Sequence, residues 1–240
     1  MSNEGAVLIL GATGGIGGAI LDALRSRQAG PIVATYNRTP PPPAREIEWT
    51  KFDATAHGQE DALSTVIERH AGSLRAAFFC IGIPSSKRII AETPADEWME
   101  LFAANCLSFV QAYTGIKDLA RRSRSRIVVL SSDTTRALKA RNGPYSASKA
   151  ALEAAAQTLA KEEAEFGVRI NILAPSLVDS PLADRLLKIK GITDNESYLA
   201  ALPWGRMITL SEVSEAAVSL ALDSHWEYAT GQIFRLGSIE

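Results

Sequence analysis

The chain has 240 residues, of which 46% are hydrophobic and 22% are charged, and its formal net charge is −2. These proportions are typical of a globular protein, and the charge argues against a nucleic-acid or anionic-membrane partner. No apolar run approaches the ~20 residues of a membrane span, and no basic leader precedes the first apolar run. We therefore expect a cytoplasmic protein with no membrane or nucleic-acid partner.

The cysteines and histidines show no ligand spacing. Cys80 and Cys106 lie in apolar surroundings and form no C-x-x-C pair, which fits a reduced compartment. The three histidines lie far apart, at His57, His70 and His225. We expect no metal site.

Short apolar runs alternate with longer helical patterns along the chain. Seven runs are predicted to be strands, at 6–10, 31–36, 46–52, 76–82, 126–132, 169–175 and 232–236. Most are apolar on both faces, as are strands of a parallel sheet covered by helices on each side. The clearest helical patterns between them lie at 59–70, 97–121, 145–166 and 210–222. This alternation predicts one α/β domain over residues 1–240, with a doubly wound parallel sheet of about seven strands and helices on both faces.

The first predicted strand runs directly into the sequence GATGGIGGAI, which begins at Gly11. A glycine-rich turn between a strand and a helix lets the main chain approach a pyrophosphate, and the helix N-terminus supplies N–H donors. Tight turns also use glycine for conformational reasons alone. Opening a βαβ unit, this turn favours dinucleotide binding. The predicted cofactor contacts are Gly11, Thr13, Gly15, Ile16 and Gly17.

The end of the second predicted strand bears on the choice of cofactor. NAD-binding units usually carry an acid here to hold the ribose hydroxyls, whereas this chain reads VATYNRT, with Asn37 and Arg38 and no carboxylate. A guanidinium at this position would pair with a 2′-phosphate, and the less favoured alternative is that Arg38 is a solvated loop residue. We therefore expect NADP(H), with NAD(H) the less favoured cofactor.

Three residues with a hydroxyl or amine group lie at the end of the fifth predicted strand or after it. Ser132 ends that strand, Tyr145 comes thirteen residues later, and Lys149 four residues after Tyr145. An aromatic hydroxyl and an ammonium one helical turn apart can be an ordinary surface pair. Alternatively, the ammonium lowers the pKa of the phenol, and the serine holds a reacting oxygen. Such a set would deliver a proton to a carbonyl as hydride reaches its carbon.

In this order, these residues resemble the short-chain dehydrogenase/reductase family, and the resemblance covers nearly the whole chain. Its marks are the glycine turn, Asp53-Ala54, Asn105, Ser132 with the YSASK sequence at Tyr145, RINILAPSLVDSPL, PWGRM and the final GQIFRLG. The resemblance implies a Rossmann-type fold and an NADP(H)-dependent oxidoreductase acting on a carbonyl/alcohol pair.

The resemblance also implies a role for each matching residue. Tyr145 would be the acid/base, Lys149 would lower its pKa and bind the nicotinamide ribose, Ser132 would orient the carbonyl, and Asn105 would hold a water. Further cofactor contacts are implied at Asp53, Ala54, Gly82, Pro175, Val178 and Ser180. Relatives pair the helix at 145–166 across subunits, which implies a homodimer or homotetramer.

The chain departs from the family pattern at several loops. Leu10 stands where Thr is usual, Phe79-Cys80-Ile81-Gly82 replaces Asn-Asn-Ala-Gly, and Pro175-Ser176 replaces Pro-Gly. The turn also fits the extended-branch spacing through Gly11, Gly14 and Gly17. These changes motivate an alternative function, a catalytically inactive nucleotide-binding regulator or scaffold. A third alternative is an isomerase or epimerase that uses a bound cofactor transiently.

The region 181–205 occupies the position of the family's substrate lid. Leu182, Leu186 and Ile189 form a short amphipathic stripe that burial against the body would explain. The residues expected to line an apolar substrate pocket are Ile83, Thr134, Leu138, Leu187, Ile192 and Trp204. We therefore expect a small-molecule carbonyl or alcohol substrate with an apolar portion.

Overall fold

The computed structural model of the chain describes residues 5–38, 40–44, 46–56, 58–180, 183, 195–200 and 202–237. Seven parallel strands form one sheet: β1 (Ala6–Leu10), β2 (Ile32–Tyr36), β3 (Ile47–Lys51), β4 (Leu74–Phe79), β5 (Arg126–Leu130), β6 (Arg169–Pro175) and β7 (Ile233–Leu236). Their order across the sheet is β3-β2-β1-β4-β5-β6-β7. The predicted doubly wound parallel sheet is confirmed.

Eight α-helices accompany the strands within the described ranges. They are α1 (Gly15–Ser26), α2 (Glu60–Ala71), α3 (Ala95–Phe102), α4 (Ser108–Ser123), α5 (Thr134–Ala137), α6 (Gly143–Glu162), α7 (Asn195–Ala200) and α8 (Leu210–Leu222). None of the described helices is long and apolar enough to cross a membrane. A capping box is present at the start of α8, where Thr209 and Glu212 satisfy each other's main-chain N–H groups.

Alternation along β1 shows how the sheet is covered on both faces. Leu8 and Leu10 pack in one apolar cluster with residues of α2, α4 and α6. Val7 and Ile9 point to the other face and pack in a second cluster with residues of α1 and α8. Because both faces are covered, all five residues of β1 are buried, which explains the unbroken apolar runs of the sequence.

Two of the differences between the predicted and observed elements bear on the site. The helix expected over 97–121 is divided, because Ala103–Leu107 form a π-helical turn between α3 and α4. The fourth strand, expected over 76–82, ends at Phe79, so Cys80, Ile81 and Gly82 form a loop beyond the sheet. Both differences concern segments that carry predicted site residues.

Candidate active site

A cleft of about 210 Å³ opens at the carboxyl edge of the sheet. The strand order reverses between β1 and β4, and ligands of open α/β sheets bind beside such a point. Six of the predicted catalytic and cofactor-binding residues line this cleft: Ile16, Ser132, Tyr145, Pro175, Val178 and Ser180. The fold thus brings predicted catalytic residues and predicted cofactor contacts to one place.

Backbone geometry explains why the turn after β1 needs glycine at two positions. Gly11 has φ +79°, a conformation that other residues rarely adopt, and its N–H donates to Thr35 Oγ1 at 2.9 Å. A Cβ at Gly17 would lie 2.2 Å from the Gly11 carbonyl oxygen, so no side chain fits there. Thr13 and Gly15 are exposed in the same turn.

The N-terminus of α1 carries no side-chain cap. Gly14 is the N-cap residue, and the first turn of the helix contains no acidic residue. The first N–H groups of a helix lack intrahelical partners and carry the positive end of its dipole. This exposed helix terminus therefore fits a pyrophosphate group, whose oxygens accept such hydrogen bonds.

The residues that follow β2 and β3 lie next to each other, because these strands are neighbours in the sheet. Asn37 and Arg38 are exposed. Asp53 Oδ1 accepts hydrogen bonds from Thr55 N–H at 3.0 Å and from Thr55 Oγ1 at 2.8 Å, and these bonds lower the pKa of Asp53. Smaller contributions in the same direction come from Lys51 and Arg38. The guanidinium of Arg38 therefore lies within electrostatic reach of a carboxylate, a neighbour that the sequence pattern did not reveal.

Lys149 is only 3% exposed and lies under the loop that follows β4. Its Nζ donates to the carbonyl oxygen of Leu130 at 2.9 Å and to that of Ile81 at 3.4 Å. Among the contacts of the described residues, one of its three N–H donors remains for a ligand. A Cβ at Gly82 would lie 3.2 Å from Nζ, so glycine leaves this ammonium accessible from the loop. Burial lowers the pKa of Lys149 to about 8.

Asn105 lies in the π-helical turn, and its side chain forms hydrogen bonds with two other segments of the chain. Oδ1 accepts from Ile83 N–H at 2.7 Å, and Nδ2 donates to Ile83 O at 3.1 Å and to Ser148 Oγ at 3.0 Å. Ser148 precedes Lys149 on α6, so Asn105 ties the loop after β4 to the helix that carries the predicted catalytic pair. Its amide hydrogens are both used in these bonds, which leaves the water-holding role implied by the family to other atoms.

Tyr145 is half-buried at the first turn of α6, and the Ser132 hydroxyl hydrogen-bonds to its phenol. Burial raises the pKa of Tyr145, and the bond from Ser132 opposes that rise. The sequence predicted instead that Lys149 would lower this pKa. Burial is the largest influence on the pKa of the phenol here, and the main-chain carbonyls of Leu130 and Ile81 accept hydrogen bonds from the Lys149 ammonium.

A buried carboxylate behind the cleft was not found from the sequence. Glu153 is 7% exposed and accepts hydrogen bonds from Ser131 Oγ at 2.6 Å and from Thr135 Oγ1 at 2.9 Å. Arg235 of β7 lies 3.5 Å from its other oxygen. This network fixes the chain on both sides of Ser132. In the sequence, the only indication of this buried carboxylate was the presence of a charged residue, Glu153, in an alanine-rich helix.

The segment after β6 closes another side of the cleft. The Pro175 carbonyl oxygen accepts from Asp133 N–H at 2.9 Å, which joins the segments after β5 and β6. Val178 is buried and pairs with Ile208. Ser180 Oγ donates to Val178 O at 3.2 Å and accepts from Ala183 N–H at 3.3 Å.

The predicted substrate lid is described only in part. Leu182, Leu186, Leu187, Ile189 and Ile192 lie outside the described residues.

Within the described part of the lid, Tyr198 of α7 lines the cleft beside Tyr145. Trp204, expected to line the substrate pocket, borders a neighbouring cavity of about 260 Å³ that shares only Ser176 and Leu177 with the cleft. Among the other expected pocket residues, Thr134 lines the cleft, whereas Leu138 is 69% exposed and does not.

The two cysteines are free and unreactive in character. Burial raises the pKa of Cys80 to about 12 and also raises that of Cys106, so both thiols stay protonated. Within the part of the chain that the structure describes, no group of three His, Cys, Asp or Glu residues could hold a metal ion.

Comparison with known proteins identifies the family. A family model described as enoyl-(acyl carrier protein) reductase matches residues 11–236. L-fucose dehydrogenase of Rattus norvegicus is 30% identical over 246 residues, covering 98% of this chain and 88% of that protein. The 3-oxoacyl-(acyl-carrier-protein) reductase FabG of Aggregatibacter actinomycetemcomitans is 29% identical over 241 residues, covering 95% of each chain. Among solved structures, ElxO with NADP bound superposes with a TM-score of 0.85 at 19% identity, over 97% of this chain and 96% of that one.

The chain therefore belongs to the short-chain dehydrogenase/reductase family, as the sequence predicted. The two sequence relatives are oxidoreductases, and ElxO shares the overall fold described above.

Proposed function

We propose that this protein is an NADP(H)-dependent oxidoreductase that interconverts a carbonyl and an alcohol on a small molecule. The observation that carries the proposal is the pairing of the Ser132 hydroxyl with the Tyr145 phenol in a cleft at the switch point, with Lys149 buried one helical turn away. We also propose that residues 1–240 form one cofactor-binding domain.

Each catalytic side chain has a task that follows from its surroundings. In the reducing direction, the Tyr145 hydroxyl donates its proton to the carbonyl oxygen, and the Ser132 hydroxyl donates a hydrogen bond that orients that oxygen. The pKa of a free phenol is about 10 and burial raises that of Tyr145, so the group is protonated at neutral pH; the hydrogen bond from Ser132, which lowers this pKa, favours transfer of the proton. The nicotinamide group supplies or accepts the hydride when bound.

The proposed cofactor site rests on the turn after β1 and on the ends of β2, β3, β4 and β6. The glycine turn holds the pyrophosphate at the terminus of α1, and the free N–H of Lys149 binds a ribose hydroxyl. Val178 and Ser180 contact the nicotinamide side, and Asp53 and Ala54 the adenine side.

The preference for NADP(H) rests on Arg38. Its guanidinium is exposed beyond β2, where it would pair with a 2′-phosphate, and no acidic residue precedes it there. The fold accommodates NADP in ElxO. The carboxylate of Asp53, held by Thr55, lies at the same end of the site as Arg38.

The substrate class follows from the cleft and the relatives. The cleft combines hydroxyls with the apolar side chains of Leu177 and Val178, which suits a carbonyl compound with an apolar portion. The relatives are named for a sugar, L-fucose, and for a 3-oxoacyl chain on a carrier protein. Both classes belong in a substrate screen.

The test is NADPH consumption with a panel of ketones, aldoses and 3-oxoacyl thioesters, measured for the wild-type chain and for Tyr145→Phe. We expect Tyr145→Phe to lower kcat by roughly 10²–10⁴-fold, because it removes the proton donor, with little change in NADPH affinity. Tyr228→Phe makes the same chemical change at a fully exposed residue and should leave kcat unchanged.

Two results would favour the alternative functions over an oxidoreductase. Tight NADPH binding without turnover of any panel member, and unaffected by Tyr145→Phe, would favour the alternative of a nucleotide-binding regulator or scaffold. A cofactor retained through purification would favour the isomerase alternative.

We further propose that the chain forms a homodimer or homotetramer through α4 and α6. Leu107 and Val110 are 50% and 43% exposed and lie three residues apart at the start of α4. Ala150 and Ala154 are exposed one turn apart on α6. Light scattering should show wild-type oligomers and a monomeric Val110→Glu variant. A wild-type monomer would refute this assembly.

A further inference from the structure

A second cavity, of about 550 Å³, lies at the opposite edge of the sheet, where the strands begin. Leu74, Arg126 and Arg169 are the first residues of β4, β5 and β6, and all three border this cavity. The candidate active site lies at the other ends of the same strands, roughly 15–20 Å away at ~3.3 Å per residue. The two cavities are therefore separate sites.

Five arginines line this cavity: Arg75, Arg122, Arg124, Arg126 and Arg169. Glu227 is the single acidic residue among the described lining residues. The lining thus carries an excess of four positive charges in a chain whose net charge is −2.

Carboxylates reach two of these arginines. Arg122 pairs with Glu68 at 2.7 Å, and Arg126 pairs with Glu227 at 3.0 Å. Arg126 is 6% exposed and also donates to the carbonyl oxygen of Asp223 at 2.9 Å, so it has a structural role as well.

The other three arginines differ in their contacts. Arg75 donates to a neutral group, the carbonyl oxygen of Ala29, at 3.4 Å. Arg124 and Arg169 make no ion pair with any residue in the described ranges. The Asp223 carboxylate is nearby but lies 3.8 Å from Arg27 instead.

The arginines lie close enough to repel one another. Burial lowers the pKa of Arg126, the charges of Arg169 and Arg75 lower it further, and the carboxylates of Glu227 and Asp223 oppose this effect. A bound anion would relieve this repulsion. Guanidinium groups present N–H donors in a planar fork that matches two oxygens of a phosphate.

We propose that this arginine cavity, lined by Arg75, Arg122, Arg124, Arg126 and Arg169, binds a small molecule that carries at least one phosphate group. Its volume lies within the ~300–1,000 Å³ range of small-molecule sites. The concave shape and the negative net charge of the chain favour a compact ligand over a nucleic acid.

The experiment is calorimetric titration with inorganic pyrophosphate at fixed ionic strength, comparing wild-type protein with Arg124→Gln/Arg169→Gln. These two arginines make no ion pair within the described chain, so the double variant should fold. Arg88→Gln/Arg141→Gln is the matched control, because it removes two exposed arginines elsewhere and Arg141, like Arg124, has positive φ.

We expect the Arg124/Arg169 double variant to weaken a pyrophosphate-binding event by roughly tenfold or more, while the control retains it. Gly17→Ala separates this event from binding at the glycine turn, since it alters only the turn and should leave the event intact. Equal affinity in the wild-type and Arg124/Arg169 variants would overturn the proposal, as would an equal loss in the control.

A second measurement identifies the residues directly. Phenylglyoxal modifies accessible arginines, and peptide mass spectrometry should show that pyrophosphate protects Arg124 and Arg169 in the wild-type chain. Modification unchanged by pyrophosphate would contradict the proposal. So would protection by a short DNA duplex and not by pyrophosphate, which would indicate a nucleic-acid surface.

Discussion

Gly17→Ala tests whether position 17 requires glycine because there is no room for a side chain, rather than because of its backbone conformation. The new Cβ would lie 2.2 Å from the Gly11 carbonyl oxygen and 2.9 Å from its carbon, whereas real contacts are essentially never below 3.0 Å. The helix or the turn must therefore move by at least 0.8 Å, the difference between 3.0 and 2.2. Because the obstacle is main chain, no side-chain rotation relieves it. Overpacking of this kind costs about 1–3 kcal/mol.

Gly18→Ala is the control on the same helix. Its Cβ would meet Ala12 O at 3.5 Å, an ordinary contact, and replacing glycine in a helix contributes up to ~1 kcal/mol of stability. Urea denaturation should therefore show Gly17→Ala less stable than wild type and Gly18→Ala equal or more stable.

Cofactor titration tests the second consequence of this movement. A displacement near 1 Å at a binding turn can weaken function by ~10²-fold, so NADPH affinity should fall for Gly17→Ala and far less for Gly18→Ala. If the two variants had equal stability and equal NADPH affinity, the packing argument would be wrong.

Three further changes test other parts of the site. Arg38→Gln should weaken NADPH binding about tenfold or more while NADH binding stays unchanged, as measured by thermal unfolding with each cofactor; equal effects on both would remove the 2′-phosphate argument. Lys149→Met should flatten the pH dependence of stability between pH 8 and 10.5. Burial lowers the folded-state pKa from 10.5 to about 8, so the unfolded chain binds more protons in this window and wild-type stability rises with pH, by up to about 3 kcal/mol. Identical slopes in denaturant titrations would contradict that pKa. Glu153→Gln should destabilise the fold by about 1–3 kcal/mol, because its amide oxygen can replace only the oxygen that accepts from Ser131 and Thr135, which leaves an N–H₂ donor facing the Arg235 guanidinium; thermal unfolding at wild-type temperature would count against the network.

The sheet was predictable from the sequence because its strands are buried on both faces. Burial on both faces requires continuous apolar runs such as AVLIL in β1, and these are visible without a structure. The glycine turn was predictable as a whole, but the reason why each position requires glycine was not. Positive φ at Gly11 and close packing at Gly17 depend on how α1 returns to the turn.

Features that depend on distant residues were not predictable. Glu153 meets Ser131 and Arg235 only because α6 packs across β5 and β6, toward β7. The direction of the Tyr145 pKa also depends on burial, which the spacing of Tyr145 and Lys149 does not report.

The arginine cavity was unpredictable for the same reason. Its arginines are spread along the chain between positions 75 and 169, and parallel pairing collects them at the edge where the strands begin.

The π-helical turn at Ala103–Leu107 has a consequence for how this chain can vary. A π turn is equivalent to a single-residue insertion in an α-helix, so deleting one residue there would restore a regular helix. Each residue of an α-helix corresponds to about 100° of rotation and 1.5 Å of rise. Because the π turn absorbs that extra residue locally, α3 and α4 would nearly keep their positions, whereas the residues of the turn itself would rotate by up to that angle and carry Asn105 away from Ile83 and Ser148. Shortening by one residue should therefore be rejected here.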